Sequence, residues 1–316
     1  MWLQRDSFSL MCMWIILAIL SALCLGCYDV SKKRSLDGNS VVGVLTVSIC
    51  LSSALLLVQW LCSRLMPEMM AGTLFYVPHV SLQAHLLIIC KAALVLASWL
   101  CAYMALKHLP LSLVAPMQAT RPMWTLVGAV IIFNEVLNGW QWLGVLCALG
   151  SVLIYSLVER KKDKQTVIEQ KTYLVFLILG ILFGSASGLY DKYLMRQLDH
   201  NAVQVYYTWY QAVMMVILWA MCSRPAGHSA LHTGVFKWRR AIVGISVFLV
   251  LSDFFYLLAL TDTNSLIAVV STARRAGTVI PFVYGILILK EPHPQRKIWC
   301  LAGILLGLVF LLIGTL

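Results

Sequence analysis

The stretch GCYDVSKKRSLDGNSV at residues 26–41 returns as GLYDKYLMRQLDHNAV at residues 188–203. Gly26, Tyr28, Asp29, Arg34, Leu36, Asp37, Asn39 and Val41 match Gly188, Tyr190, Asp191, Arg196, Leu198, Asp199, Asn201 and Val203 in one register. The match continues downstream. Ser98 and Ala105-Leu106 are echoed by Ser252 and Ala259-Leu260, and Glu135 closes the fourth apolar run as Glu291 closes the ninth. Self-similarity of this kind is the mark of an internal repeat. The chain therefore reads as two copies of one unit.

The runs between these marks decide what the unit is. Of the 316 residues 61% are hydrophobic and 12% charged, against about 25% charged in soluble domains. Ten runs approach the length of about 20 residues that crosses a bilayer. In the first half they cover Ser9–Cys27, Val41–Ser63, Ala84–Lys107, Leu111–Phe133 and Trp140–Val158. In the second half they cover Tyr173–Tyr190, Val203–Cys222, Ala241–Leu260, Ser265–Leu289 and Trp299–Thr315. The expected fold is all-α and integral to the membrane. Its units are a first repeat over 1–158, a charged linker over 159–171 and a second repeat over 172–316. Five helices per copy is an odd number, so the second copy lies inverted relative to the first, an arrangement found in transporters. The first run has no small-residue cleavage site after it and reads as a spanning helix.

The net charge of +11 sits in short loops. Lys32, Lys33, Arg34, Arg160, Lys161, Lys162, Lys164, Lys237, Arg239 and Arg240 fall after odd-numbered spans. The other side has only Arg5, Arg64, Lys192 and Arg196. The positive-inside rule places both termini outside and the 159–171 linker in the cytoplasm. No basic-aromatic nucleic-acid module is present. The ten cysteines lie mostly in apolar runs, so the Cys24–Cys27 spacing reads as core filling. His228 and His232 lack a third ligand, and no metal or cofactor is expected.

Charges inside the spans are costly, about 2.5–3.5 kcal/mol or more each, and mark function. Ser271, Arg274, Arg275 and Thr278 fall at i, i+3, i+4 and i+7 and form one polar stripe. Asp253 lies eight residues before the 261–264 turn and Arg274 ten residues after it, so the two are expected to meet near the midplane. The fourth span repeats the theme with Gln118, Arg121 and Thr125, and its helix is interrupted by Pro116 and Pro122. Arg121 matches either Arg274 or Arg275. Lys91 is shallow enough to snorkel. Asp253 reads as the only acid well inside a span, which makes the cavity positive, and Trp99, its counterpart in the repeat, reads as a cavity wall. Tyr28-Asp29 and Tyr190-Asp191 mark the ends of the first and sixth spans, where Lys32 or Lys192 is available for pairing. With Pro122, Glu135 and Glu291 they are assigned to structure or gating. The Gly180, Gly184, Gly188 ladder is assigned to helix packing. There is no P-loop, metalloprotease motif or nucleophile elbow.

These residues resemble the drug/metabolite transporter superfamily, of the ten-helix EamA type. The resemblance is carried by Ala105-Leu106-Lys107, Pro122, Glu135 and Trp142-Leu143-Gly144, and again by Ala259-Leu260 and Lys290-Glu291. It covers essentially the whole chain. It implies secondary transport of small metabolites, often export, by alternating access between two halves in the cytoplasmic membrane. Relatives usually keep their termini inside, and small multidrug relatives carry an acid in the first helix, where this chain has none before Asp29. The expected substrate is a small anionic or zwitterionic metabolite held by Arg121, Arg274 and Arg275, with Asp253 orienting an arginine or carrying a coupling proton. Lys91, Trp99, Gln118, Ser271 and Thr278 complete the binding set. The expected partners are membrane lipid, the substrate, and a coupling proton or counter-substrate. Alternatives are proton-coupled efflux of cationic drugs, a membrane-embedded enzyme, and a sensor. Nothing in the chain supplies a nucleophile, a metal constellation or an output domain.

Overall fold

The computed structural model describes residues 3–36, 38–108, 121–134, 136–159, 170–222, 236–262, 265 and 267–278, with scattered positions between 280 and 314. Every regular element among them is helical. In chain order these are α1 (Leu3–Leu36), α2 (Val41–Leu65), a single turn α3 (Pro67–Met70), α4 (Leu82–His108) and α5 (Arg121–Phe133). There follow α6 (Gly139–Glu159), α7 (Gln170–Met195), α8 (His200–Cys222), α9 (Ala241–Thr261) and α10 (Ile267–Arg275), the last tightening into a 3-10 turn at Ala276–Thr278. Among the described residues five stretches are long and apolar enough to cross a membrane: Met13–Lys32, Val42–Leu65, Leu82–Ala102, Thr172–Met195 and Ala241–Thr261.

The outside of these helices is greasier than the inside. α2 exposes Leu55, Leu57, Val58 and Leu61 while burying Ser48, Ser52 and Ser63. In a lipid solvent apolar surface gains nothing by being hidden, so small polar residues take the helix interfaces and bond across them. Ser246 Oγ donates to the Ser48 carbonyl at 2.7 Å, joining α9 to α2.

Two helices run past their expected ends. α1 continues to Leu36 and α7 to Met195. Tyr28-Asp29 and Tyr190-Asp191 thus lie within helices and do not mark their ends, which corrects the boundary reading. Hydropathy stops where apolarity stops, whereas the backbone ladder runs on through lysine and arginine, which favour helix nearly as well as leucine. The ninth span also differs, because α10 gives way to the 3-10 turn. There Gly277 meets Gly26 of α1 so closely that a Cβ on either would overlap the other helix's backbone. Residues 109–120, with Gln118 among them, and Glu135 and Glu291 lie outside the described residues.

Contacts between the halves come in exchanged pairs. α1 packs along α9, and α4 along α7; α2 meets α9, and α4 meets α8; α1 meets α10, and α5 meets α7. α2 meets α8 and α5 meets α10, each facing its own counterpart. The repeated asparagines obey the same rule. Asn39 Nδ2 donates to the Lys237 carbonyl at 2.6 Å, and the Lys237 N–H returns a bond to its Oδ1 at 2.8 Å. Asn201 Nδ2 donates to the carbonyls of Leu74 and Tyr76 at 2.9 and 3.0 Å. Each asparagine opens the second helix of its own half and holds the chain that leads into the third helix of the other half.

Candidate functional site

A cavity of about 390 Å³ lies between the halves, lined from α1, α4, α5, α7, α8, α9 and α10. Four cations (Lys32, Lys91, Arg121, Arg274) and three carboxylates (Asp29, Asp191, Asp253) reach its wall. One positive charge is left over among the described residues.

Arg274 is held on three sides. Its Nη2 donates to an Asp253 carboxylate oxygen and to Ser252 Oγ at 3.2 Å, and its guanidinium carbon lies 4.3 Å from the centre of the Tyr256 ring. Asp253 and Tyr256 are three apart on α9, so both stand on the face turned to α10. The expected meeting of Asp253 with an arginine is present, and the arginine is Arg274. Both side chains are mostly buried, at 15% and 19% exposure. The Arg275 and Thr278 side chains lie outside the described residues.

Arg121 occupies the corresponding place in the other half. Its Nη2 donates to Ser98 Oγ at 3.3 Å and to the Gly180 carbonyl at 3.4 Å. Ser98 is the repeat partner of Ser252, and each serine donates to the first helix of the opposite half: Ser98 to the Gly180 carbonyl at 2.7 Å, Ser252 to the Ser21 carbonyl at 3.0 Å. By this contact Arg121 corresponds to Arg274. Trp99 stands where Asp253 would be, and it lines the cavity. The Arg121 guanidinium lies directly over Gly184, where a Cβ would overlap it. Gly184 thus seats an arginine, a role the packing assignment missed.

The third cation corrects the snorkelling expectation. Lys91 is 3% exposed and forms an ion pair with Asp191, with its ammonium 4.6 Å from the Tyr207 ring centre. Asp191 therefore pairs with Lys91 and not with Lys192. Lys192 turns away to Ser265 Oγ at 2.7 Å and to the Asp262 carbonyl at 3.3 Å, fastening the α9–α10 turn. Asp253 is also not the only deep acid, because Asp191 lines the same cavity at 5% exposure. The longer α7 is what carries Asp191 inward.

Of the remaining expected residues, Ser271, Thr125, Tyr28 and Asp29 line the cavity, and Lys32 stands 5.7 Å from the Tyr28 ring centre. Tyr190 does not line it; its hydroxyl donates to the Leu87 carbonyl at 3.2 Å and ties α7 to α4. The Pro122 side chain lies outside the described residues. Sequence reading missed Tyr207 and Tyr256, whose rings face the cations. In a run of apolar residues a tyrosine gives no sign of which way it points, and neither is repeated in the other half.

The cavity presents fixed charges of both signs and aromatic faces in a volume suited to a small solute; ligand pockets run from about 300 to 1,000 Å³. A solved crystal structure matches this fold with a TM-score of 0.72, over 94% of this chain and 95% of that one, at 10% sequence identity. That likeness is one of fold. Among curated proteins, none matches the sequence significantly. The EamA-like transporter family matches residues 12–157, which hold most of α1, all of α2 to α5 and most of α6. Residues 12–157 match the EamA-like transporter family as one domain, and the protein is a multi-pass helical membrane protein.

Proposed function

We propose that the chain is a secondary transporter, most simply an exporter, for a small anionic or zwitterionic metabolite. It works by alternating access between two inverted five-helix repeats, residues 1–158 and 172–316, joined by the 159–171 linker. The exchanged helix contacts and the mirrored Asn39 and Asn201 bonds support the inverted reading. The positive loops support a cytoplasmic linker and outside termini in the cell membrane.

The observation that carries the substrate reading is the charge count of the cavity wall. Four cations face three carboxylates, and two of the cations are arginines held by matched serines. A guanidinium offers a planar fork that suits a carboxylate or phosphate. A negative group would lie among Arg121, Arg274 and Lys91, with Ser271 adding a hydroxyl and Arg275 and Thr278 continuing the stripe. A positive group on a zwitterion would find the tyrosine faces and the carboxylates. A permanent cation has no such excess to meet. Gln118, Pro122, Glu135 and Glu291 retain their expected roles in the helices that rock.

The test is uptake of radiolabelled succinate, phosphate, serine and tetraethylammonium into liposomes carrying the full-length protein. Arg121→Lys and Arg274→Lys should each reduce uptake of the accepted solute at least about tenfold, since a lost charged bidentate contact is worth about 1.5–3 kcal/mol. Transport of tetraethylammonium alone would refute the reading, as would full activity in both lysine variants.

A further inference from the structure

The Lys91–Asp191 pair is built once. Asp191 has a repeat counterpart in Asp29, but the position equivalent to Lys91, counted from the Ser98–Ser252 match, is Ile245, buried at 1% exposure. A pairing that served the repeated scaffold would appear in both halves, as the asparagine bonds and the serine bonds do. Stability does not require it either. A buried ion pair is often no more stable than apolar residues of the same volume. Its side chains are 4% and 7% exposed, yet both line the cavity.

The groups around Asp191 are known from every helix packed on α7. Lys91 comes from α4; Tyr256 and Asp253 come from α9; Arg274 comes from α10; Arg121 comes from α5 and lies over Gly184. The Tyr207 ring of α8 faces Lys91, with its centre 4.6 Å from the ammonium. The Tyr256 hydroxyl faces Asp191, and its ring faces Arg274, so the two ion pairs meet across one side chain.

Lys91 is therefore a cation whose charge is masked by a single carboxylate. An anionic substrate entering the cavity competes with Asp191 for that ammonium. When it wins, Asp191 is left without its ion-pair partner while itself only 5% exposed. A carboxylate so placed neutralises itself by taking a proton, because leaving the charge bare costs far more. We propose that Asp191 is the coupling-proton site of this transporter: each negative group that captures Lys91 brings one proton onto Asp191. The step balances. One proton leaves bulk water and bonds to an Asp191 oxygen, the Lys91–Asp191 pair breaks, and a Lys91–substrate pair forms. On release the proton departs and the original pair closes. By linkage the dependence runs both ways, so acidification strengthens anion binding as much as anion binding favours protonation. This inference rests on the anionic-substrate reading above and adds its coupling: anion and proton move together, so an inward proton gradient draws the anion in, and export is driven only by an outward gradient of the substrate itself.

Two measurements separate the inference from that reading. The first does not depend on transport. Infrared difference spectra of the lipid-embedded full chain, taken on acidification with succinate, phosphate or serine present, should show a carboxylic-acid carbonyl band that is absent from Asp191→Asn. The second uses whichever probe wild type transports. An inward gradient of one pH unit should drive about tenfold accumulation at one-to-one coupling. Asp191→Asn leaves Lys91 unmasked, so downhill exchange should persist while gradient-driven accumulation falls to none. Should Asp191→Asn not fold, Lys91→Met/Asp191→Asn removes the pair without stranding a charge and takes its place in the infrared assay and in the accumulation arm, where gradient-driven accumulation should again fall to none. A purely structural pair predicts that this double variant accumulates substrate like wild type, and that result overturns the proposal. An acid-dependent band that survives in the variants overturns it as well. If wild type transports none of the anionic or zwitterionic probes, the substrate reading fails, and the infrared band alone still decides whether Asp191 takes a proton.

Discussion

Breaking the Arg274–Asp253 pair from its two ends should cost different amounts. Removing one member of a buried pair typically costs about 3–5 kcal/mol, because the survivor keeps its desolvation penalty without its partner. The survivors here are unequal. After Asp253→Asn, Arg274 retains Ser252 Oγ at 3.2 Å and the Tyr256 ring at 4.3 Å. A desolvated cation–π contact is worth up to about 2 kcal/mol, so the net cost should be about 2–3 kcal/mol. After Arg274→Met, Asp253 loses the donor that neutralised it, and the cost should reach about 4–5 kcal/mol at neutral pH. The double variant strands nothing and should cost about 1 kcal/mol, leaving a coupling of several kcal/mol between the sites. Equilibrium unfolding of the four proteins in mixed micelles, followed by tryptophan fluorescence, measures each value. If the single costs add to the double cost within about 0.5 kcal/mol, the residues are not coupled, and the ordering Arg274→Met above Asp253→Asn is the second check.

Three further outcomes follow from particular contacts. Gly184→Ala should leave unfolding within about 1 kcal/mol of wild type, since the overlapping atoms belong to the movable end of Arg121, yet it should lower uptake of the accepted probe severalfold by unseating that guanidinium; unchanged uptake would show that the seat is irrelevant. Asn201→Ala breaks the bonds to Leu74 and Tyr76 and should destabilise by about 1–3 kcal/mol, with faster amide exchange in the segment before α4; Asn39→Ala should do the same before α9. A cytoplasm-only fluorescent reporter fused after Leu316 should be dark, and the same reporter inserted in the 159–171 linker bright; the reverse pattern would invert the orientation.

The repeat made the scaffold legible because spacing survives in a sequence. Ser98 with Ser252 and Asn39 with Asn201 are visible as matched letters, and both pairs prove to join the halves. The Asp253–Arg274 meeting was legible for a similar reason: a tight turn fixes the relative depth of two neighbouring helices. Lys91 was not. Its depth depends on how α4 lies against α7, and its partner Asp191 seemed to sit at a helix end because the hydropathy of the sixth span fades before its hydrogen-bond ladder does. Distance along a helix can be counted in the sequence; azimuth between helices far apart in the chain cannot.

That division separates what holds the protein from what it handles. Residues present in both halves, such as the asparagines and serines, make bonds that the two-fold contacts exchange, and a change in one should be felt as lost stability. Other groups of the cavity break the pattern that Arg121 and Arg274 keep: Asp253 has a tryptophan counterpart in Trp99, Lys91 an isoleucine in Ile245, and Tyr256 an alanine in Ala102. A symmetric scaffold suits a machine that must open alternately to two sides. A solute has no such symmetry, so beyond the matched arginines its groups must be met by side chains that occur once. The asymmetry of the wall therefore points to substrate as directly as the symmetry of the frame points to the transport cycle, and the unpaired differences between the halves are where substitutions should alter transport without loosening the fold.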